Sequence, residues 1–231
     1  MQHEIMSDIL LLHLETSTKV CSVALSRNGE LVALKEINED NFSHGEKLTL
    51  FVEEIMNVGK VKFQELSGVS IASGPGSYTG LRIGTSTAKG FCYALNIPLL
   101  SIDALESLAE IAKKKYTGLN LCPMIDARRM EVYSAIYSSE MSILKPVSAD
   151  ILEENSYEEF GKLVCFGDGM PKTKEIWSER DIIFDNDILS SATGQIERVY
   201  QKYLNKEFED VAYFEPFYLK DFIGAVKKNP V

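Results

Sequence analysis

The order of apolar and turn-forming segments constrains the fold most, because one succession of elements occurs twice along the chain. The strands predicted in the first half are Ile9–Glu15, Lys19–Arg27 and Glu30–Asn38, with a hairpin-forming Asn-Gly pair between the last two. A helix capped by Asp103 is predicted to end near Lys115. The second half begins again with predicted strands at Leu119–Asp126 and Met130–Tyr137, and later has predicted strands at Leu163–Phe166 and Asp181–Phe184 and a helix from about Ile188 to Asn205. We therefore predict an α/β protein of two similar lobes, residues 1–100 and 101–231, with the last residues packing back on the first lobe.

Two helices predicted in the first lobe carry more apolar surface than a helix lying on a sheet requires. His44–Val58 has a broad apolar arc, and Leu81–Leu95 has an apolar face plus a second stripe of small or apolar side chains. Gly84 and Gly90 each weaken the second helix by roughly 1 kcal/mol relative to alanine, which a closely approaching helix would explain. That helix belongs either to this chain or to another molecule, and we favour the latter. The predicted partner-contacting residues are Leu48, Phe51, Val52, Ile55, Ile83, Gly84, Thr87, Gly90 and Ala94.

A glycine-rich loop, Gly74–Gly80, joins a predicted buried strand to the second helix. Its spacing matches neither the nucleotide-binding P-loop nor the dinucleotide-binding fingerprint. The glycines serve either a tight turn with close packing, which we favour, or a phosphate held by backbone amides at the helix start. An acid followed by hydroxyl residues in another turn could hold the same phosphate. The candidate phosphate-binding residues are Glu15, Thr16, Ser17, Gly74, Gly76, Ser77 and Arg82.

Composition argues against several classes of function. The net charge of −10 and the lack of a long Lys/Arg block disfavour binding of nucleic acid by this chain alone. The four cysteines are scattered in apolar contexts and are predicted to be buried thiols. No signal peptide or membrane span is predicted, so a cytoplasmic location is expected.

Residues for catalysis and for metal binding are scarce. The three histidines, His3, His13 and His44, form no metal-binding pair, and we expect no metal site in this chain. His13 lies within a predicted strand and is expected to be packed or hydrogen-bonded. Ser77 with His44 as its base is a weak candidate for a nucleophilic pair, so no catalytic residue is assigned.

Several of these segments, taken in order along the chain, resemble the TsaB (YeaZ) family of tRNA threonylcarbamoyladenosine biosynthesis proteins, also called glycoprotease-like. Ser73–Arg82 is the most specific segment, and Asp126–Arg129 is the second. Glu15 and Lys220 depart from the family pattern, which more often has aspartate and arginine there. The other matching segments are Leu14–Thr18, Cys21–Leu25, Ser43–Leu48, Ile125–Tyr133 and Pro216–Lys220.

The resemblance implies an actin-like ATPase fold of two RNase H-like lobes. It implies a non-catalytic scaffold that docks a catalytic TsaD subunit and a TsaE ATPase in the complex that modifies the adenosine beside the tRNA anticodon. It also implies that the two helices of the first lobe pair with a partner, or with a second copy when the chain is alone. ATP and a metal would then be used by the partner subunits, and tRNA would be met only through the complex, with no membrane involved.

Two positions distinguish this chain from the catalytic subunit of that complex. The resemblance implies that Ala104 and Leu108 occupy the positions of the catalytic subunit's metal-binding H-x-x-x-H motif. The alternative function is that of an enzyme, either a glycoprotease-like peptidase or an ATP-dependent phosphotransferase.

Overall fold

A computed structural model describes residues 8–39 and 44–220 of the chain; His3 and Ser43 lie outside these ranges. The first half forms a mixed sheet in the order β3-β2-β1-β4-β5. Its strands are β1 (Leu10–Glu15), β2 (Val20–Arg27), β3 (Glu30–Asn38), β4 (Gly68–Ala72) and β5 (Leu99–Ile102). Its helices are α1 (His44–Gly59) and α2 (Tyr78–Leu95). Asn28, with a positive φ of 53°, and Gly29 form the turn between β2 and β3, as the sequence predicted.

The second half forms a sheet in the order β10-β9-β6-β7-β8. Its strands are β6 (Asn120–Asp126), β7 (Glu131–Tyr137), β8 (Ile143–Ile151), β9 (Leu163–Phe166) and β10 (Ile183–Asp185). Its helices are α3 (Ala104–Lys113), α4 (Thr173–Ile176) and α5 (Ile196–Leu204). Asp103 caps α3 by accepting hydrogen bonds from the backbone N–H groups of Leu105 and Glu106, as predicted.

The two sheets have the same topology. In each, the first strand pairs antiparallel with the second and parallel with the fourth, and the third and fifth strands form the edges. The β1–β2 turn thus corresponds to the β6–β7 loop, and the loop after β4 corresponds to the loop after β9. The predicted pair of similar α/β lobes is confirmed.

Helices cover both faces of the first sheet. α1 and α2 pack on the face formed by Leu12, Leu14 and Val23. The opposite face, which includes Leu11 and Leu100, is covered by α5, and a 3₁₀ turn at Ala192–Gln195 precedes that helix. The predicted boundary assigned residues 192–204 to the second lobe, whereas they pack on the first sheet because its second apolar face also requires cover.

A polar network inside the first lobe accounts for its buried histidine. Both ring nitrogens of His13 lie 2.7 Å from hydroxyl oxygens, one of Ser70 and one of Ser26. Ser70 also donates to the side-chain oxygen of Gln195, which lies just before α5. Burial lowers the pKa of His13 to about 3, so the ring is neutral at physiological pH. The prediction of a hydrogen-bonded histidine is confirmed, as is that of buried free thiols at Cys21, Cys92, Cys122 and Cys165.

Candidate functional site

The β1–β2 turn packs directly onto the glycine loop and the first turns of α2. A Cβ atom on Gly76 would lie 2.2 Å from the carbonyl oxygen of Ser17, and one on Gly80 would lie 2.1 Å from that of Thr16. A Cβ atom on Gly84 would lie 2.2 Å from the Thr16 hydroxyl oxygen. Real side chains cannot approach so closely, so these three glycines allow the turn to rest against the helix.

Hydrogen bonds fix this contact and occupy two of the backbone N–H groups that a phosphate could bind, those of Ser77 and Gly80. The backbone N–H of Ser77 donates to the Ser17 carbonyl at 2.6 Å, and the Thr16 hydroxyl donates to the Gly80 carbonyl at 2.8 Å. The Ser77 hydroxyl caps α2 by accepting from the Gly80 N–H at 3.3 Å. Of the two interpretations of the loop, this geometry supports close packing over phosphate binding.

Glu15 lies at the base of the same turn and is buried, with 1% of its surface exposed. One carboxyl oxygen accepts hydrogen bonds from the backbone N–H and the hydroxyl of Ser17, at 2.7 and 2.6 Å. The other oxygen has no hydrogen-bond partner among the described residues. Burial, assisted by the negative charge of Asp168, raises the pKa of Glu15 to about 7.

Asp168 lies in the second lobe, in the loop after β9, and faces the cleft between the lobes. Its carboxylate accepts from the backbone N–H of Asp126 at 3.0 Å, and desolvation raises its pKa to about 6. With Lys19 of the first lobe and Ser190 it lines a cavity of about 260 Å³. Sequence analysis missed this residue, although Gly-Asp-Gly directly after a strand was the available signal, since glycines at a strand end mark a close backbone approach.

The predicted partner-contacting residues separate into two groups. Leu48, Val52 and Ile55 are at most 1% exposed and Phe51 is 8% exposed, because α1 turns this face onto its own sheet. Gly84 is also internal, where it contacts the β1–β2 turn. The prediction that these five residues contact a partner is therefore corrected: they form the interior of the first lobe.

The remaining predicted positions lie on the outer side of α2. Gly90 and Ala94 are exposed, whereas Ile83 and Thr87 are half-buried. No atom lies within 4 Å of the position where a Gly90 Cβ would be. Three large apolar side chains of α1 and α2 are exposed: Leu50, Val58 and Tyr93. The outward-facing positions of the two helices, Leu50, Val58, Ile83, Thr87, Gly90, Tyr93 and Ala94, are together called the α1–α2 surface.

A groove of about 350 Å³ separates α2 from the segment Phe214–Tyr218. The Lys89 ammonium group closes one side by donating to the carbonyl oxygens of Ala212 and Phe214 at 3.0 and 3.1 Å. On the other side the guanidinium carbon of Arg82 lies 4.0 Å from the centre of the Tyr78 ring. The C-terminal segment thus packs on the first lobe through α2, and Phe217 also donates its backbone N–H to the Ser73 carbonyl at 2.8 Å.

A family model described as "TsaD: tRNA N6-adenosine threonylcarbamoyltransferase" matches residues 39–221, which is most of the chain. The chain belongs to this family. Among relatives of the TsaD family, the "tRNA threonylcarbamoyladenosine biosynthesis protein TsaB" of Escherichia coli is 27% identical over 95% of this chain and 98% of its own length. The TsaB protein of Bacillus subtilis is 34% identical over 61% of this chain and 60% of its own length. The predicted resemblance to TsaB is confirmed.

Solved structures agree on the fold. The structure named "YeaZ from Pseudomonas aeruginosa" is 25% identical, covers 91% of this chain and all of its own chain, and superimposes with a TM-score of 0.78. A protein from the same organism, described as uncharacterized with similarity to peptidase YEAZ, is 23% identical, covers 92% of this chain and has a TM-score of 0.77. The predicted actin-like fold of two lobes is confirmed.

Two positions of this chain carry apolar side chains where the resemblance places metal-binding histidines in the catalytic subunit. Ala104 and Leu108, which the resemblance aligns with the metal-binding histidines of the catalytic subunit, lie on α3 with 1% of each exposed. Both pack against the second sheet with Leu121 and Tyr137. Methyl and isobutyl groups supply no metal ligand there. Among the helices of residues 8–39 and 44–220, none combines the length and apolarity required to cross a bilayer.

Proposed function

We propose that this chain is the accessory subunit of the complex that forms N6-threonylcarbamoyladenosine next to the anticodon of tRNAs. It docks a TsaD-type catalytic subunit and a TsaE-type ATPase. The single observation that carries the proposal is the match to a TsaB biosynthesis protein over 95% of this chain and 98% of that protein. The role assigns the chain to the cytoplasm, where tRNA is modified.

The residues support a non-catalytic role. Ala104 and Leu108 offer no ligand for the metal that the catalytic subunit uses. The glycines that could cradle a phosphate instead contact the β1–β2 turn at Thr16 and Ser17. We therefore assign no cofactor to this chain alone, and assign ATP and the metal to the partner subunits.

The α1–α2 surface is the part of the molecule best suited to docking the catalytic subunit. It combines exposed apolar side chains with small residues, and Tyr93, at 85% exposed, is its most prominent side chain. Large exposed aromatic residues are common at the energetic centres of protein interfaces. The same surface would join two copies of this chain when the partner is absent.

Reconstitution tests the proposed function. The catalytic subunit and the ATPase are incubated with tRNA, ATP and a preformed, activated threonylcarbamoyl donor, with and without this chain, and modified adenosine is measured. We expect little modification without the chain and a large increase with it. No increase would contradict the proposed function. Hydrolysis of ATP by the isolated chain with magnesium would instead support the alternative of a phosphotransferase, and cleavage of a protein substrate would support that of a peptidase.

Replacing Gly90 with tryptophan should weaken docking without unfolding the chain. The new side chain projects from an exposed position with no atoms within 4 Å of its Cβ, so the monomer can accept it, whereas a closely packed partner cannot. We expect at least about a tenfold loss of affinity, equivalent to about 1.4 kcal/mol, in calorimetric titration with the catalytic subunit. Gln201→Trp, at an exposed position of α5, is the matched control and should bind normally. Unchanged affinity of Gly90→Trp would place the docking site elsewhere.

A further inference from the structure

The loop between β6 and β7 holds two arginines in an unusual backbone conformation. Arg128 and Arg129 have φ values of 69° and 53°, the left-handed region that non-glycine residues seldom adopt. The loop is closed by backbone hydrogen bonds between Ala127 and Glu131 and between Glu131 and Arg128, both at 3.2 Å. Such strain is concentrated at functional sites, and glycine or asparagine would avoid it. We therefore expect the two arginine side chains to have a role other than stabilising the loop.

The acids at the root of this loop already have cationic partners. The Asp126 carboxylate pairs with the Lys172 ammonium at 2.5 Å and accepts from the Arg128 backbone N–H at 2.6 Å. The Glu131 carboxylate pairs with Lys220. Neither arginine side chain has a hydrogen bond or ion pair with any residue of the described ranges. Two exposed guanidinium groups without counter-ions thus remain on a chain whose net charge is −10.

The segment before Lys220 links this loop to Arg82 and Tyr78 of α2. Tyr218 is two residues before Lys220, so their Cα atoms lie within about 8 Å of each other. The Tyr218 hydroxyl accepts from Arg82 Nε at 3.3 Å, and its ring centre lies 4.9 Å from that of Tyr78. Cations and aromatic rings therefore follow one another from α2, along the C-terminal segment, to the β6–β7 loop.

We propose that Arg128 and Arg129, continued by Arg82, contact the phosphate backbone of tRNA within the assembled complex. Guanidinium groups match phosphate oxygens with paired hydrogen bonds, and neighbouring tyrosines offer faces for unpaired bases. The aromatic rings favour RNA over an acidic protein segment, which offers no bases to stack. The inference rests on the proposed function. Because the chain has a net charge of −10, the contact adds to binding by the complex rather than giving affinity to this chain alone.

Salt-dependent tRNA binding tests this inference. Complexes of the catalytic subunit, the ATPase and either wild-type chain or Arg128→Ala/Arg129→Ala are titrated with labelled tRNA from low to moderate salt. We expect the double variant to bind at least about tenfold more weakly at low salt and to lower the slope of log affinity against log salt by roughly 1 per arginine. The matched control, Arg27→Ala/Arg198→Ala, removes the same charge from arginines that pair with Asp8 and Glu106, and should leave both quantities unchanged.

A second double variant separates charge from folding. Arg128→Gly/Arg129→Gly relieves the left-handed strain and should raise Tm by about 2–4 °C while losing tRNA affinity to the same extent. Wild-type tRNA affinity and salt slope in either double variant would overturn the inference. So would loss of complex assembly in size-exclusion chromatography, because the loop would then dock an acidic protein surface. A wild-type complex that fails to modify tRNA would overturn the proposed function, and this inference with it.

Discussion

Replacing Gly84 with alanine should destabilise the chain by about 2–3 kcal/mol, although alanine normally strengthens a helix by about 1 kcal/mol. The added Cβ would lie 2.2 Å from the Thr16 hydroxyl oxygen and 2.7 Å from a methyl carbon of Ile71. Both neighbours are buried, and Thr16 is also held by its hydrogen bond to the Gly80 carbonyl. The helix and the β1–β2 turn must therefore separate to admit one methyl group. Urea unfolding followed by circular dichroism measures the loss.

Gly90→Ala is the matched control on the same helix. Its Cβ meets no atom within 4 Å, so the intrinsic preference of helices for alanine should prevail and stabilise the chain by up to about 1 kcal/mol. Opposite signs of the change in unfolding free energy would establish that α2 packs against the β1–β2 turn at Gly84 and has no close neighbour at Gly90. Equal effects would contradict the packing described for Thr16.

Glu15→Gln should change the pH dependence of stability by roughly 3 kcal/mol. The Glu15 pKa is raised from 4.5 to about 7 in the folded chain, mainly by burial. Below pH 4.5 the carboxyl is protonated in both states, and its stabilising effect is complete. As the pH rises from 4.5 through about 7, the unfolded chain releases the proton more readily, so the free energy of unfolding falls. Glutamine cannot ionise, so this loss should be missing from the variant.

The measurement compares urea unfolding of wild type and Glu15→Gln at pH 4.5, 6 and 8. The difference in free energy of unfolding, variant minus wild type, should increase steadily with pH. It should be roughly 3 kcal/mol more favourable to the variant at pH 8 than at pH 4.5. Glu175→Gln, which removes an exposed carboxyl from α4, controls for the change in net charge. A constant difference between Glu15→Gln and wild type would show that the Glu15 carboxyl is accessible to solvent.

Local chemistry in the sequence was sufficient for most strands and for the duplicated architecture. Asn28-Gly29 marked its hairpin, and β3 and β9 begin and end where predicted. β8 was missed because Pro146 interrupts it, and proline is tolerated there only since β8 is an edge strand. The last helix was predicted from Ile188, whereas α5 begins at Ile196 after a 3₁₀ turn whose Gln195 is held by Leu14 and Ser70. Those partners are remote in sequence and therefore invisible to a local pattern.

The helical wheel identified apolar faces but could not tell what covers them. Leu48 and Val52 share one face of α1, and the pattern is the same whether a sheet or a partner lies against it. Gly84 and Gly90 raised the same question on α2, yet only one of them has a neighbour. The neighbour is Thr16, brought near by tertiary folding. The Gly-Asp-Gly sequence could have marked Asp168 itself, but its relation to Glu15 exists only across the cleft and could not have been predicted from either local pattern.

Because α5 packs on the first sheet, the two halves of the chain are poorly suited to expression as separate fragments. A fragment that stops near residue 100 would leave Leu11 and Leu100 without Val199 and Tyr200, which cover them in the whole chain, and such a bare apolar sheet face promotes aggregation. The complementary fragment would carry an amphipathic helix with nothing to bury its apolar side. We therefore expect neither half to fold alone, so that fusion partners should be joined at the ends of the chain and both halves should be expressed together.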